Sequence, residues 1–225
     1  MAEREPGRPP ERAPSPRRDP FVEPLFGLPA RVLARPLEAY AELGPAARSA
    51  SQASLTRLAL RTVGVTLLVL GGFVSLTTAG RLVAFHVVST MLFWSFAPLV
   101  SLVALAITCR LFARGEPLVR AYALFSLGYA PMLLFVLALT GVCLFARDVY
   151  GAFVWLLGAG VLPALLLAAY GWGVAASYGF FSRALRLRRT RALAATAVYH
   201  LSFALLVTSY YLVTEQLQPQ LWGAP

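Results

Sequence analysis

Apolar positions along this chain are gathered into five long uncharged runs, and the polar positions between them are mostly arginine. The runs are Thr62–Gly80, Leu82–Cys109, Ala121–Ala146, Val149–Ser182 and Ala192–Thr214. None alternates with the period of a strand, and each is long enough for a helix across a hydrocarbon core about 30 Å thick, which takes about 20 residues. The pattern predicts an all-α polytopic transmembrane bundle with spans near 59–80, 84–109, 121–145, 152–175 and 192–214. The fourth run, 34 residues, is too short for two full spans and a turn. It is read as one span near Phe153–Gly173 with an interfacial extension, the alternative being a re-entrant break around Gly158, Gly160 and Pro163.

Ahead of the spans lie two segments of different character. Residues 1–20 hold six prolines, five arginines, four acids and no apolar run. This composition predicts a disordered tail and lacks the apolar stretch of a secretory signal, so the first span is expected to act as the insertion signal. Residues 21–56 are intermediate, with Pro36 opening PLEAYAEL. Leu37, Tyr40 and Leu43 fall on one side of that helix and Glu38 and Glu42 on another, as in an amphipathic helix on the membrane or against the bundle. A plain cytosolic helix gives the same pattern. Residues 215–225 form a short outer tail.

Arginine placement orients the spans. Arg48, Arg57 and Arg61 precede the first span, Arg110, Arg114 and Arg120 follow the second, and Arg183, Arg186, Arg188, Arg189 and Arg191 follow the fourth. The opposite side carries Arg81 and Arg147 alone. By the positive-inside rule the N-terminus is cytosolic and the C-terminus outside, in the inner (cytoplasmic) membrane of a cell. Tyr150, Trp155, Tyr210, Tyr211 and Trp222 then fall at the outer interface, where aromatic side chains anchor.

Composition agrees: 58% of residues are hydrophobic, 13% are charged, and mean hydropathy is +0.67. The chain has no lysine or asparagine and a single isoleucine, Ile107, which points to a GC-rich, bacterial genome. Its net charge of +10 flanks apolar spans, so it reports topology rather than nucleic-acid binding. Cys109 and Cys143 read as small packing residues.

Chemistry is sparse. No acid or base lies in the core of any span, which weakens ion- or proton-coupled transport. His86 and His200 sit at depths roughly 10 Å apart, too far for a shared metal. No phosphate loop, zinc motif or nucleophile elbow is present. No catalytic, cofactor-binding or metal-binding residue is therefore expected. Pro98, Pro131 and Pro163 fall within spans and predict kinks. Gly64 with Gly71, and Gly171, Ala175 and Gly179, mark candidate helix contacts.

The order of parts resembles the Yip1 domain family, in which a cytosolic N-terminal region precedes five closely spaced spans. ARPLEAYAEL (34–43) resembles the proline-led helix before the first span of bacterial members, and RLFARGEPLVRAYALFSLGYAPMLL (110–134) the loop and third-span entry. Gly128, Tyr129 and Pro131 match the family's Gly-Tyr pair followed closely by proline, with a shorter spacing. The resemblance covers roughly residues 34–214 and implies a compact five-helix membrane domain without known catalysis. Its eukaryotic members contact small prenylated GTPases, but the Asp-Leu-Tyr-Gly-Pro motif that accompanies them is missing here.

Two function classes follow. One is a non-enzymatic membrane interaction or scaffold protein, with Arg183, Arg186, Arg188, Arg189 and Arg191 contacting anionic lipid or a partner, either another membrane protein or a second copy. Those arginines serving topology alone is the plainer account. The other is an oligomeric small-molecule permease or channel lined by Ser89, Thr90, Ser95, Ser101 and His200, although these make an incomplete polar stripe. Topology is directly testable. Reporter fusions at positions 115 and 187 should read as cytosolic, and those at 80, at 148 and after 220 as outside. A cytosolic signal after 220 overturns the five-span count.

Overall fold

A computed structural model describes residues 27–130 and 149–222, with 133 and 138 between them. The described residues are predominantly helical, with no strand among them. The α-helices are α1 (Gly27–Ala34), α2 (Pro36–Ser49), α3 (Gln52–Ala79), α4 (Ala84–Trp94), α5 (Phe96–Phe112), α6 (Leu118–Phe125), α7 (Val149–Gly158), α8 (Val161–Gly179) and α9 (Arg189–Trp222). A tight 3-10 turn, Ser126–Tyr129, follows α6, and a π-helical turn, Phe180–Ala184, follows α8. The expected disordered tail lies outside the described residues, as does most of the expected third span beyond residue 130.

Among the described residues, four segments are long and apolar enough to cross a membrane: Gln52–Ala79, Ala84–Phe112, Val161–Ala184 and Arg189–Thr214. At 24 to 29 residues they measure about 36 to 44 Å. Large apolar side chains along them, including Leu68, Leu92, Leu99, Leu167, Leu201 and Leu205, are exposed. Water would penalise that surface, whereas lipid tails do not. These features make the chain a multi-pass membrane protein.

Neighbouring segments run antiparallel. The α3–α4 hairpin is the tightest join, where a Cβ on Gly71 would lie 2.6 Å from the Val87 carbonyl oxygen. Gly64, expected on the same contact face, meets nothing within 4 Å. The buried Ser75 hydroxyl closes the hairpin by donating to the Arg81 carbonyl (2.9 Å) and accepting from the Val83 N–H (2.8 Å). Helices α5 and α9 pair through stacked Phe96 and Tyr210, 4.4 Å between centroids, and through Ser101 and Tyr199 at 2.8 Å. This alternation puts the arginine groups near 57–61, 110–120 and 183–191 at one end of the bundle.

The fourth apolar run is not one continuous helix. It divides at Ala159–Gly160, where Gly160 has φ 72°, and the membrane-length piece starts after the break, at Val161. A left-handed residue ends a helix because the next N–H no longer points along the axis, and glycine adopts that conformation without a Cβ clash. Pro163 then sits in the first turn of α8, where its missing N–H costs no bond. Pro98 likewise lies in the first turn of α5. Having no N–H, it leaves the Trp94 carbonyl without its helical donor. The span breaks at Ser95, whose N–H and hydroxyl both turn back to the Leu92 carbonyl.

The best-packed region is the arginine-rich end, not the middle of the bundle. Helix α2 buries Pro36, Ala39, Tyr40, Leu43, Gly44 and Ala47 against α6, α8 and the π-turn. The amphipathic segment thus lies against the bundle. The buried stripe runs i, i+3, i+4, i+7, i+8 and i+11 from Pro36, so Leu37, expected beside Tyr40 and Leu43, is exposed. Helix α1 adds fully buried Leu28 and Val32, and the Trp172 indole N–H of α8 donates to its Leu33 carbonyl at 2.8 Å.

Gly44 tests this docking, because a Cβ there would lie 2.8 Å from the Ala184 Cα. Gly44→Ala should cost about 1–3 kcal/mol through overpacking. Gly64→Ala should be neutral or gain up to about 1 kcal/mol of helix propensity. Thermal midpoints in detergent check the order; equal midpoints would remove α2 from the bundle.

Candidate functional site: an arginine cleft

The site is built where α8 ends. Consecutive Phe180 and Phe181 are both buried, with ring centroids 5.1 Å apart, and both pack on Phe125, which anchors the π-turn. Phe180 meets Tyr40 and Phe125 edge-on at 5.8 and 5.2 Å. The Leu185 and Leu187 N–H groups return to the Phe180 and Phe181 carbonyls, both at 3.1 Å. Arg186 takes φ 56°, a left-handed conformation costing a non-glycine residue about 1–2 kcal/mol. It reverses the chain so that α9 starts at once, with the Ala192 N–H bonded to the Arg188 carbonyl at 2.8 Å.

This reversal folds residues on both sides of the loop around a cleft of about 480 Å³. Arg183, Arg188, Arg189, Ser182, Tyr178, Leu187 and the exposed Leu37 of α2 line it. Three of the five arginines expected as contacts therefore converge on one cavity, while Arg186 and Arg191 do not line it. All five are solvent-exposed, and among the described residues none pairs with a carboxylate. Elsewhere at this end the acids are engaged: Glu42 with Arg31, Glu38 with Arg35 at 3.2 Å, and Glu116 with Arg120 at 3.2 Å. The Ser182 hydroxyl oxygen is buried and has no hydrogen-bond partner among the described residues. Arg189 and Arg191 stand in the first turn of α9, where the helix dipole is positive and favours anions over cations. The cleft thus concentrates positive charge and unused donors beside apolar side chains.

Tyr40 holds this floor in place. It is buried, its hydroxyl donates to the Leu124 carbonyl at 3.3 Å, and burial pushes its phenol well above the ordinary tyrosine range. Gly128 gives it room, since a Cβ there would lie 3.2 Å from the Tyr40 oxygen. Tyr129 points into a different cluster, donating to Ser101 at 2.7 Å, and Pro131 lies outside the described residues. Ser182, Tyr178 and Leu187 were not singled out from the sequence, and Leu37 was read only as part of an apolar helix face. The available signal was Ser182 itself, a polar residue against the first arginine of the densest basic cluster.

A second polar group lies at mid-depth. Ser101 joins Tyr129 and Tyr199 across three segments, and Tyr122 donates to the Pro98 carbonyl at 3.1 Å. His200 stacks edge-on against Tyr170 at 5.4 Å, and its Nε2 is buried without a partner among the described residues. His86 is elsewhere, bonded to Thr78 at 3.1 Å. Ser89 and Ser95 bond carbonyls of their own helix. Among the described residues no group of His, Cys, Asp and Glu could hold a metal ion.

Neither the family models nor the curated proteins nor the solved structures yield a match to this chain. The site therefore stands on its geometry. Its supporting polar cluster gives a stability test. Ser101→Ala strands the buried Tyr199 and half-buried Tyr129 hydroxyls and should cost about 1–3 kcal/mol, whereas Tyr199→Phe removes one interhelical bond worth about 0.6–1.7 kcal/mol. Thermal unfolding in one detergent should rank Ser101→Ala below Tyr199→Phe, and the reverse order would refute the shared hydroxyl.

Proposed function

We propose that this chain is a non-enzymatic interaction or scaffold protein of the inner membrane that holds anionic lipid at its cytosolic face through the arginine cleft. The proposal takes the bundle as five spans with a cytosolic N-terminus, the layout of a Yip1-like domain. Three observations support that layout: the arginine groups share one end, α2 docks there as a proline-led helix, and Gly128 packs under Tyr40. One observation carries the lipid-binding function. Arg183, Arg188 and Arg189 face one cleft without a carboxylate partner among the described residues, beside Leu37 and Leu187. Charge paired with apolar surface at the end of a span is the chemistry of a lipid headgroup and its first methylenes. Arginines needed only for topology have no reason to converge on a cavity.

An oligomeric permease or channel is the alternative, and the mid-depth Ser101–Tyr129–Tyr199 group favours it. Two of its expected lining residues, Ser89 and Ser95, are instead committed to their own helix carbonyls.

Lipid retention tests the proposal. Native mass spectrometry of the purified chain should show phosphatidylglycerol kept in preference to phosphatidylcholine. Changing Arg183, Arg188 and Arg189 together to Gln should remove about 1 kcal/mol for each, and so weaken retention by roughly 100-fold. Equal retention of the two lipids by the native chain would overturn it.

A further inference from the structure

We infer that the cleft is built for a phosphomonoester: the terminal, dianionic phosphate of a membrane lipid, rather than the phosphodiester of the common anionic lipids. This deepens the lipid-binding proposal above and rests on it.

Charge count comes first. Arg183, Arg188 and Arg189 line one cleft, and no described carboxylate offsets them. A phosphodiester brings one negative charge, whereas a phosphomonoester brings about 1.5 to 2 at neutral pH and presents three terminal oxygens. The monoester therefore balances more of the local excess. It also offers each guanidinium an acceptor in the fork geometry that arginine prefers.

Donor placement points the same way. Ser182 and Arg183 come from the π-turn before the loop, and Arg188 and Arg189 come from after it. The left-handed Arg186 brings the two groups together, so the donors surround a common space from two sides. A diester phosphate has ester arms on two of its four oxygens and offers only two to such a ring. A monoester carries one arm and enters end-on. Ser182 lines that space, and its hydroxyl, buried without a partner among the described residues, is the donor that a free phosphate apex takes up on entry, whereas a bridging phosphate is held off by its second arm.

The apolar wall identifies the source as a lipid. Leu37 and Leu187 share the cleft with the arginines, and α8 leads from it directly into the apolar bundle. A soluble phosphate would leave that wall unused.

The experiment uses the full-length chain in nanodiscs of phosphatidylcholine doped with either phosphatidic acid or phosphatidylglycerol, with retained lipid counted by native mass spectrometry. Inorganic phosphate is added in a third arm. Phosphatidic acid should be retained at least tenfold better than phosphatidylglycerol, and millimolar phosphate should not displace it. Ser182→Ala should shrink that preference severalfold, and a thermal midpoint in detergent matching that of the native chain shows that the variant is folded. Equal retention of the two anionic lipids, both lost in the triple Arg→Gln variant, overturns the monoester and leaves the lipid-binding proposal standing. Retention of neither above phosphatidylcholine overturns both. Full displacement by inorganic phosphate overturns the lipid as source.

Discussion

The arginine-rich end depends on the docking of Tyr40 between α6 and the π-turn. Its ring sits edge-on to Phe180, its hydroxyl reaches the Leu124 carbonyl, and Gly128 leaves space above it. In a membrane the hydrophobic effect does not drive helices together, because lipid tails are as apolar as leucine. At the end of the bundle water is present again, and burying an aromatic ring regains its usual value of a few kcal/mol. This accounts for the position of the core. Leu28, Val32, Tyr40, Leu124, Phe180 and Phe181 are all nearly inaccessible and belong to the segments that meet there, while the middles of the spans keep much of their surface for lipid.

That docking also fixes the cleft. Leu37 reaches its wall only because the rest of α2 is held, about one and two turns further on, by Tyr40 and Gly44. The π-turn is the other half of the arrangement. A regular α-helical continuation of α8 spaces side chains by 100° per residue, so adjacent Phe180 and Phe181 would face well apart. The wider turn lets both stay buried and turns Ser182 and Arg183 toward the cleft. π-helical turns of this type recur at functional sites.

Long apolar runs and short basic loops made the membrane helices legible, since length and charge are what a bilayer reads. The proline-led α2 was legible for the same kind of reason: Pro36 at a first turn and a one-sided apolar face. Its register was not, because Leu37, Tyr40 and Leu43 at spacings of three drift around the helix, and only Tyr40 and Leu43 stay inside. The break at Gly160 was visible as an alternative but could not be chosen, because a glycine in an apolar run is equally a packing residue. Pro98 was recognised as a kink, yet the break falls three residues earlier, at Ser95, where the carbonyl bonds are lost. Of the site, the five arginines were visible as a cluster. Their division into three that share a cavity and two that do not depends on Arg186 turning left-handed, which no local sequence signal announces.

That division bears on what the cluster is for. Orientation in a membrane requires arginines near a span end and nothing finer, so a topology signal works from a disordered or freely extended loop. Here the loop carries costs that such a signal does not need. Arg186 holds a conformation worth about 1–2 kcal/mol of strain. Arg189 and Arg191 stand at the positive end of a helix, against a preference of about 0.3–1 kcal/mol each. Three guanidinium groups line one cleft, and this cluster lacks a described carboxylate to relieve their mutual repulsion. Two of these costs would fall if a single anion entered the cleft, while the strain at Arg186 would stay. The anion would neutralise the guanidinium groups, complement the dipole of α9, and use the geometry that the strained residue maintains. Strain and like charge held in one place by a well-packed floor are the expected features of a site preorganised for an anion.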